Sequence, residues 1–146
     1  MSKTTSTSKR STPDPKPTEP RERVTPSQFN GPRTSVHKVE ADGVRVFYRA
    51  AGDSDAPVVL LLHGFPTSSF MFRELIPRLA DQYRVIAPDL PGFGFTEVPV
   101  ERKYKYSFAG LASTIDAFTE ALRIDRYAIY IFDYGAPTGQ IGRAHV

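Results

Sequence analysis

The sequence predicts an α/β fold in which a strand hairpin is followed by parallel strands joined by helices. Short apolar runs of strand length alternate with segments whose apolar residues recur at helical spacing. Turn residues separate these segments, and each helical segment lies between two strand-like runs. That order favours parallel pairing through right-handed crossovers. The chain has 146 residues, which allows one such domain at most.

The first two strands are predicted from alternation and a glycine turn. Residues 35–40 alternate polar and apolar side chains, as a half-buried strand does. Gly43 marks a turn into residues 44–48, so the two segments are expected to pair as a hairpin. Residues 58–62 are apolar at every position, which suits a strand covered on both faces.

Two helices and two further strands complete the prediction. Thr67 or Ser68 can cap a first helix, which Pro77 is expected to kink. Its apolar stripe consists of Phe72, Leu75, Ile76 and Leu79. Residues 83–87 form the next strand, and Ser107 then caps a second helix. The second helix has one apolar face, made by Phe108, Leu111, Ala112, Ile115, Phe118 and Leu122. Residues 127–132 are predicted to be a buried strand.

The two ends of the chain differ in composition from residues 34–139, which are predicted to be the globular part. Residues 1–33 are rich in Ser, Thr and Pro, so burial cannot offset their ordering entropy and disorder is expected. Their acidic residues argue against an organelle transit peptide, and a start codon assigned too far upstream is an alternative. Residues 141–146 match a reading frame of a common sequencing-library adapter, and Gln140 fits the preceding codon. Residues 140–146 are therefore expected to be translated adapter, with an ordinary C-terminus as the alternative.

Composition excludes several classes of function. The chain has no cysteine, which rules out disulfides and thiolate metal sites, and no metal or other cofactor is predicted. Residues 1–33 carry seven Lys and Arg against three Asp and Glu, so residues 34–146 are near neutral and offer no basic face for nucleic acid. No apolar stretch is long enough for a membrane span, and no secretory signal is evident. A cytoplasmic protein is expected, with no membrane partner.

The most informative residue is Asp133, which follows the strand at 127–132 and precedes a glycine-containing turn. A carboxylate at such a bend is held out of the sheet, where a substrate can reach it. Upstream, the strand at 58–62 ends in His63-Gly64-Phe65-Pro66. Together these segments suggest an acid nucleophile beside an anion-binding turn.

These features resemble the α/β-hydrolase superfamily over residues 36–139. The His-Gly-Phe-Pro turn at 63–66, the segment Asp-Leu-Pro-Gly-Phe-Gly-Phe-Thr at 89–96 and the elbow acid follow the order and spacing of that superfamily. The acid makes the chain similar to the aspartate-nucleophile branch, which includes epoxide hydrolases and haloalkane or haloacetate dehalogenases. The resemblance implies the N-terminal half of an α/β-hydrolase fold, truncated after the nucleophile elbow. Ile131 departs from the pattern, because the family usually has a small residue two positions before the nucleophile.

The resemblance also implies a mechanism and a small-molecule substrate. Asp133 would attack an epoxide or organohalide, because a carboxylate is ionised at neutral pH and needs no base. The N–H groups of Tyr134 and Phe65 would stabilise the oxyanion that forms when the resulting ester is hydrolysed. The family's catalytic histidine, orienting acid and cap follow the elbow, so this chain is expected to be an inactive fragment.

Other interpretations stay open at this point. One alternative is that Asp133 serves merely as the N-cap of the following helix and is not a nucleophile. His63 is expected to support its turn rather than act as a base, and Asp89 to tie down its glycine-containing loop. Tyr104 and Tyr106 are expected to lie in a solvated connector. For the whole protein, haloacetate rather than epoxide chemistry, or a non-catalytic binding or receptor protein on the same fold, is the alternative. The oligomeric state is not predicted.

Overall fold

The computed structural model describes residues 31–143. The disorder expected for residues 1–33 therefore falls outside the described residues, except at 31–33, which belong to no helix or strand. Residues 140–143 continue the last helix, and residues 144–146 lie outside the described part. Both expectations about the chain ends stay predictions.

Five strands form one mixed sheet. They are β1 (Ser35–Ala41), β2 (Val44–Ala51), β3 (Val58–Leu62), β4 (Arg84–Pro88) and β5 (Tyr127–Ile131). Their order across the sheet is β1-β2-β4-β3-β5. Strand β2 is antiparallel to β1 and β4, whereas β3 is parallel to both β4 and β5. The predicted α/β class, with an initial hairpin and parallel strands after it, is confirmed.

Three α-helices accompany the sheet within residues 31–143: α1 (Ile76–Leu79), α2 (Phe108–Ala121) and α3 (Gly135–Arg143). Helix α2 begins where the sequence predicts, because the Ser107 hydroxyl accepts a hydrogen bond from the Gly110 N–H at 3.1 Å. Its predicted apolar face is buried at Leu111, Ala112, Ile115 and Phe118. No helix in the described part of the chain is both long and apolar enough to cross a lipid bilayer.

The single kinked helix predicted after position 67 is wrong. The structure has a short 3-10 helix, Ser69–Phe72, capped by the Ser68 side chain, and then the one-turn helix α1. Pro77 lies in the first turn of α1, where its missing N–H costs nothing. Because Pro77 also clashes with the carbonyl four residues earlier, the helix cannot extend back through residue 73. The proline starts a helix here instead of kinking one.

Strand β5 is also less buried than predicted. Its residues are alternately half-buried and exposed, and the Tyr130 side chain is 46% exposed. Within residues 31–143 the strand pairs only with β3, so one of its edges and part of each face stay open. The segment is a strand, as predicted, and among the described residues it lies at the edge of the sheet.

Side-chain alternation along β3 divides the core between the two faces of the sheet. Leu60 and Leu62 pack with Phe118 of α2, whereas Leu61 packs with Ile76 of α1. Coverage on both faces explains why every position of β3 is apolar. Because β3, β4 and β5 run in the same direction, their carboxyl ends lie at one edge of the sheet, where α/β proteins bind ligands.

Candidate active site

Asp133 lies at a sharp turn between β5 and α3. Its φ of 48° is in the left-handed region, which Asp tolerates better than most residues. The turn is closed by backbone hydrogen bonds from the Gly135 N–H to the Phe132 carbonyl and from the Ala136 N–H to the Asp133 carbonyl. This strand–turn–helix geometry holds the carboxylate clear of the sheet and exposed.

The Asp133 carboxylate accepts two backbone hydrogen bonds on one oxygen. The N–H groups of Phe65 and Tyr134 both donate to Oδ1, each at 2.8 Å. Within residues 31–143 no hydrogen-bond partner meets Oδ2. The structure therefore brings together the three predicted site residues, and it distinguishes the two carboxylate oxygens from each other.

The interpretation of Asp133 as a simple helix cap finds little support in these contacts. A capping side chain accepts from the second or third N–H of the helix. Here the side chain accepts from Tyr134, before the helix, and from Phe65, on a different loop. The Ala136 N–H is satisfied by the backbone carbonyl of Asp133 instead.

Gly64 is required because the turn at residues 63–66 closely approaches the turn that contains Asp133. A Cβ atom at this position would lie 2.4 Å from the Asp133 Cβ and 2.8 Å from its Oδ1. Further along the turn, the Thr67 N–H and hydroxyl both donate to the Gly64 carbonyl. The absence of a side chain at Gly64 therefore permits the turn to approach Asp133 closely.

Ile131, the position that departs from the family pattern, is accommodated by Gly139. A Cβ atom on Gly139 would lie 2.7 Å from Ile131 Cγ2 and 2.9 Å from Ile129 Cδ1. The small residue that relieves crowding between strand and helix is therefore on the helix side of the elbow. Gly135 is tight as well, because its Cβ would lie 2.7 Å from the Leu62 carbonyl oxygen.

His63 is fully buried and joins two loops. Its Nε2 accepts a hydrogen bond from the Leu90 N–H at 2.9 Å, so Nδ1 carries the proton and donates to the Gly64 carbonyl at 2.9 Å. Burial lowers the pKa of His63, which keeps the ring neutral. With both nitrogens engaged, His63 supports the turn, as the sequence predicts.

Asp89 is fully buried and organises the loop after β4. Its Oδ1 accepts from the Ser69 N–H at 2.7 Å, and its Oδ2 accepts from the Phe95 N–H at 2.9 Å. Gly94 has a φ of 55°, and a Cβ there would lie 1.9 Å from Asp89 Oδ2. The expected role of Asp89 in holding its loop is confirmed.

Comparison with a family model decides the relationship. Residues 57–141 match the family described as alpha/beta hydrolase fold. This chain belongs to the α/β-hydrolase family. The match begins just before β3 and extends into α3, so it contains both loops that donate to Asp133.

Individual relatives of this α/β-hydrolase include proteins of three descriptions. An uncharacterized hydrolase of Saccharomyces cerevisiae is 58% identical over 104 residues, covering 70% of this chain and 35% of that protein. Epoxide hydrolase 4 of Homo sapiens is 31% identical, with coverage of 75% and 31%. The crystal structure of a loop variant of the haloalkane dehalogenase DbeA from Bradyrhizobium elkanii superposes with a TM-score of 0.68 at 37% identity, covering 73% of this chain and 34% of that one. The chain thus spans about a third of the length of these relatives.

Aromatic side chains cluster around Tyr134, the residue after Asp133, in this α/β-hydrolase. The Tyr134 ring contacts three others, with centroids 5.2 Å from Phe108, 5.7 Å from Phe65 and 6.2 Å from Phe93. A pocket of about 560 Å³ opens beside them. Its lining consists of Pro91, Gly92, Phe93, Tyr106, Ser107, Phe108, Leu111 and Tyr134. The described residues contain no cluster of three or more His, Asp or Glu that could hold a metal ion.

Sequence reasoning missed this pocket and misjudged the segment before α2. Tyr104 is not a solvated connector residue, because it is half-buried and its hydroxyl lies 2.8 Å from the Thr114 hydroxyl. Tyr106 is exposed but lines the pocket. The topology could have indicated the pocket. The segment before Ser107 joins a parallel strand to the helix that Ser107 caps, and loops of this kind lie at the carboxyl ends of the strands, where ligands bind.

Proposed function

We propose that the protein is a hydrolase that opens an epoxide or displaces a halide with Asp133 as its nucleophile. One observation carries the proposal: two backbone N–H groups donate to Oδ1, while Oδ2 is without a partner in residues 31–143. Oδ2 is thus the oxygen available for attack, and Oδ1 already occupies the position where negative charge would develop. The relatives named epoxide hydrolase and haloalkane dehalogenase support this substrate class.

The first step forms an ester. The electron pair on Asp133 Oδ2 attacks the electrophilic carbon, and a carbon–oxygen bond forms. With an organohalide, the carbon–halogen bond breaks and the halide leaves with the bonding electrons. With an epoxide, the ring carbon–oxygen bond breaks and the alkoxide takes a proton from solvent or an acid. The product in both cases is an alkyl ester of Asp133.

The second step hydrolyses that ester. Water, with a base to take its proton, attacks the ester carbonyl carbon, and Oδ1 carries the charge of the tetrahedral intermediate. The intermediate collapses as the bond from the carbonyl carbon to Oδ2 breaks, and the alkoxide leaves as an alcohol after taking a proton from the protonated base, which regenerates the Asp133 carboxylate. The Phe65 and Tyr134 N–H groups already lie 2.8 Å from Oδ1, so they need not reorganise. Removing one such donor costs about 2.7–4 kcal/mol in other enzymes. The amino terminus of α3 adds a favourable dipole.

The base for the second step is not supplied by either histidine of the described residues. His63 uses both ring nitrogens on backbone partners. His37 lies on β1, at the edge of the sheet opposite β5, and its Nε2 is 2.7 Å from the Ser35 hydroxyl. We therefore propose that the 146-residue chain alkylates Asp133 once and does not turn over.

Intact-protein mass spectrometry tests both parts of this proposal. The 146-residue chain is incubated in dilute solution with styrene oxide or 1-bromobutane, and adducts are located by peptide mapping. We expect one adduct per chain, on Asp133, and product release that does not exceed one equivalent. Asp133→Asn should remove the adduct, because an amide is a poor nucleophile.

Asp125→Asn provides the matched control, since Asp125 is an exposed carboxylate outside the site. It should leave labelling unchanged. Labelling spread over several surface carboxylates, or no adduct in a folded sample, would overturn Asp133 as nucleophile. Binding of the reagents at the site without any adduct would favour a non-catalytic binding protein.

A further inference from the structure

The pocket beside Asp133 is lined by rings and aliphatic groups. Phe93 lies on the loop after β4, while Tyr106 and Phe108 stand on either side of the residue that caps α2. The volume of about 560 Å³ lies within the range of small-molecule sites, which are mostly apolar. Within residues 31–143 no charged side chain lines it.

Tyr134 joins this pocket to the nucleophile. Its backbone N–H donates to Asp133 Oδ1, and its ring forms part of the pocket wall. The same ring is packed edge-on against Phe108, with centroids 5.2 Å apart. Tyr134 therefore belongs both to the hydrogen bonds of Asp133 and to the wall of the pocket.

The loop after β4 is shaped to leave room for a ring against it. Gly92 has a φ of 88°, and a Cβ there would lie 3.0 Å from Tyr106 Cε1. The glycine thus lets the Tyr106 ring lie against the loop backbone. The Tyr106 ring also packs edge-on against the Tyr104 ring, with 5.0 Å between centroids.

Charge discriminates between the candidate substrates. A carboxylate, as in a haloacetate, loses its hydration in an apolar pocket and needs a cation or several donors in return. Among the described residues, the polar side-chain groups of the lining are two phenol hydroxyls and one serine hydroxyl. A phenyl or branched alkyl group loses no such hydration and gains contact with the aromatic walls.

Resting on the proposed function, we infer that the electrophilic substrate carries an aryl or bulky alkyl group that binds in this pocket. Tyr106 and Phe108 are then specificity residues, and the carbon attacked by Asp133 lies at the Tyr134 end. Substrates whose only substituent is a carboxylate are disfavoured.

Three epoxides that differ in one substituent test the inference. Labelling rates at Asp133 are compared for styrene oxide, propylene oxide and oxirane-2-carboxylate, each divided by its rate with acetate in buffer. We expect the phenyl compound to exceed the methyl compound by about tenfold and the carboxylate to be slowest. Tyr106→Ala and Phe108→Ala should each lower the styrene oxide rate about fivefold and change the propylene oxide rate by less than about twofold.

Phe70→Ala is the matched control, because Phe70 is an aromatic residue of similar exposure that does not line the pocket. It should leave all three rates unchanged. Equal normalised rates for the three epoxides, or equal effects of the three alanine variants, would overturn the inference while leaving Asp133 as nucleophile.

Binding of an unreactive ligand separates the inference from the proposed function. 1-Phenyl-1,2-ethanediol has the same phenyl group but no electrophile. We expect it to shift the NMR signals of Tyr106 and Tyr134, and to bind about fivefold more weakly to Phe108→Ala. If no epoxide labels Asp133 but the diol binds in this way, the proposed function fails and the pocket assignment is supported. If the diol causes no such shifts, the inference is wrong.

Discussion

At the scale of single residues, the candidate site depends on backbone positions that tolerate close approach. Asp133 adopts a left-handed conformation, which costs a residue other than glycine about 1–3 kcal/mol. The two hydrogen bonds from Phe65 and Tyr134 to Oδ1 help to retain it. Strain that persists at an exposed carboxylate is the kind of outlier that accompanies function.

Gly64→Ala should destabilise the chain by about 1–3 kcal/mol, because the added Cβ would lie 2.4 Å from the Asp133 Cβ. Urea unfolding in dilute solution, followed by tyrosine fluorescence, measures the change. In an Asp133→Gly background the opposing Cβ is absent, so the same substitution should cost much less. An equal cost in both backgrounds would mean that the two residues are not in contact.

The stability of the chain should decrease as the pH falls below the ordinary pKa of a histidine side chain. The pKa of His63 is lowered by burial from its usual value of 6.5, so the unfolded chain binds a proton more readily than the folded one. The contribution of neutral His63 to the free energy of unfolding is complete above pH 6.5. It is lost as the pH falls through the lower pKa that His63 has in the folded chain.

Free energies of unfolding measured between pH 8 and pH 5 test this expectation, within the range where His titrates. His63→Asn should be less stable at pH 8, because two buried hydrogen bonds change, and should lose part of the pH dependence. His37→Asn, on the edge strand β1, should retain the full dependence. A profile that is unaltered by His63→Asn would contradict the argument.

At the scale of secondary-structure elements, the elbow depends on packing between β5 and α3. The family pattern places the small residue on the strand, whereas here Ile131 is large and Gly139 on the helix is small. A small residue on either the strand or the helix can therefore maintain the close spacing between them. The two positions should behave as a coupled pair.

Gly139→Ala should destabilise the chain by about 1–3 kcal/mol, because its Cβ would lie 2.7 Å from Ile131 Cγ2. The penalty should shrink when Ile131→Ala is present, giving a coupling energy of about 0.5–3 kcal/mol in a double-mutant cycle. The measurement is chemical unfolding of the four chains. Additive effects would show that helix and strand are not crowded at this point.

Local signals explain which parts of the fold could be predicted from sequence. The strands follow from apolar periodicity, and the start of α2 follows from the Ser107 cap, because both depend on neighbours in sequence. The approach of Asp133 to the turn at residues 63–66 was expected from two apolar strands that each end in a turn, whereas the N–H groups of Phe65 and Tyr134 were named only through resemblance to a family. Periodicity alone does not reveal which loops meet.

Long-range packing explains what the sequence did not reveal. The order β1-β2-β4-β3-β5 depends on how strands compete for partners, and the Ile131–Gly139 contact joins residues on different elements. The pocket is formed by the loop after β4, the start of α2 and Tyr134, which no single periodic pattern connects. The apolar stripe near Pro77 was visible, but a stripe does not show where the backbone is interrupted.

At the scale of the whole molecule, the two edges of the sheet differ. On β1, the outer strand, Lys38 and Glu40 are charged, and Lys38 forms an ion pair with Glu97. Charged edge strands resist pairing with other chains. Strand β5 has the sequence Tyr-Ala-Ile-Tyr-Ile, which is uncharged and rich in β-forming residues.

The 146-residue chain should therefore associate through the free edge of β5 at concentrations of tens of micromolar, a range in which exposed strand edges aggregate. Tyr130→Lys places a charge on this strand, at a side chain that is already 46% exposed, so it should raise solubility, although it removes the edge-on contact of the Tyr130 ring with Phe72. Phe70→Lys adds the same charge at an exposed aromatic residue of the 3-10 helix, which is not part of the β5 edge, and should help much less. Light scattering and analytical ultracentrifugation distinguish the three chains. Equal improvement by both lysine variants would indicate a general effect of net charge. A monomeric parent chain with one sharp, cooperative melting transition would contradict the expected association. An edge that drives self-pairing cannot stay unoccupied in a stable monomer at that concentration.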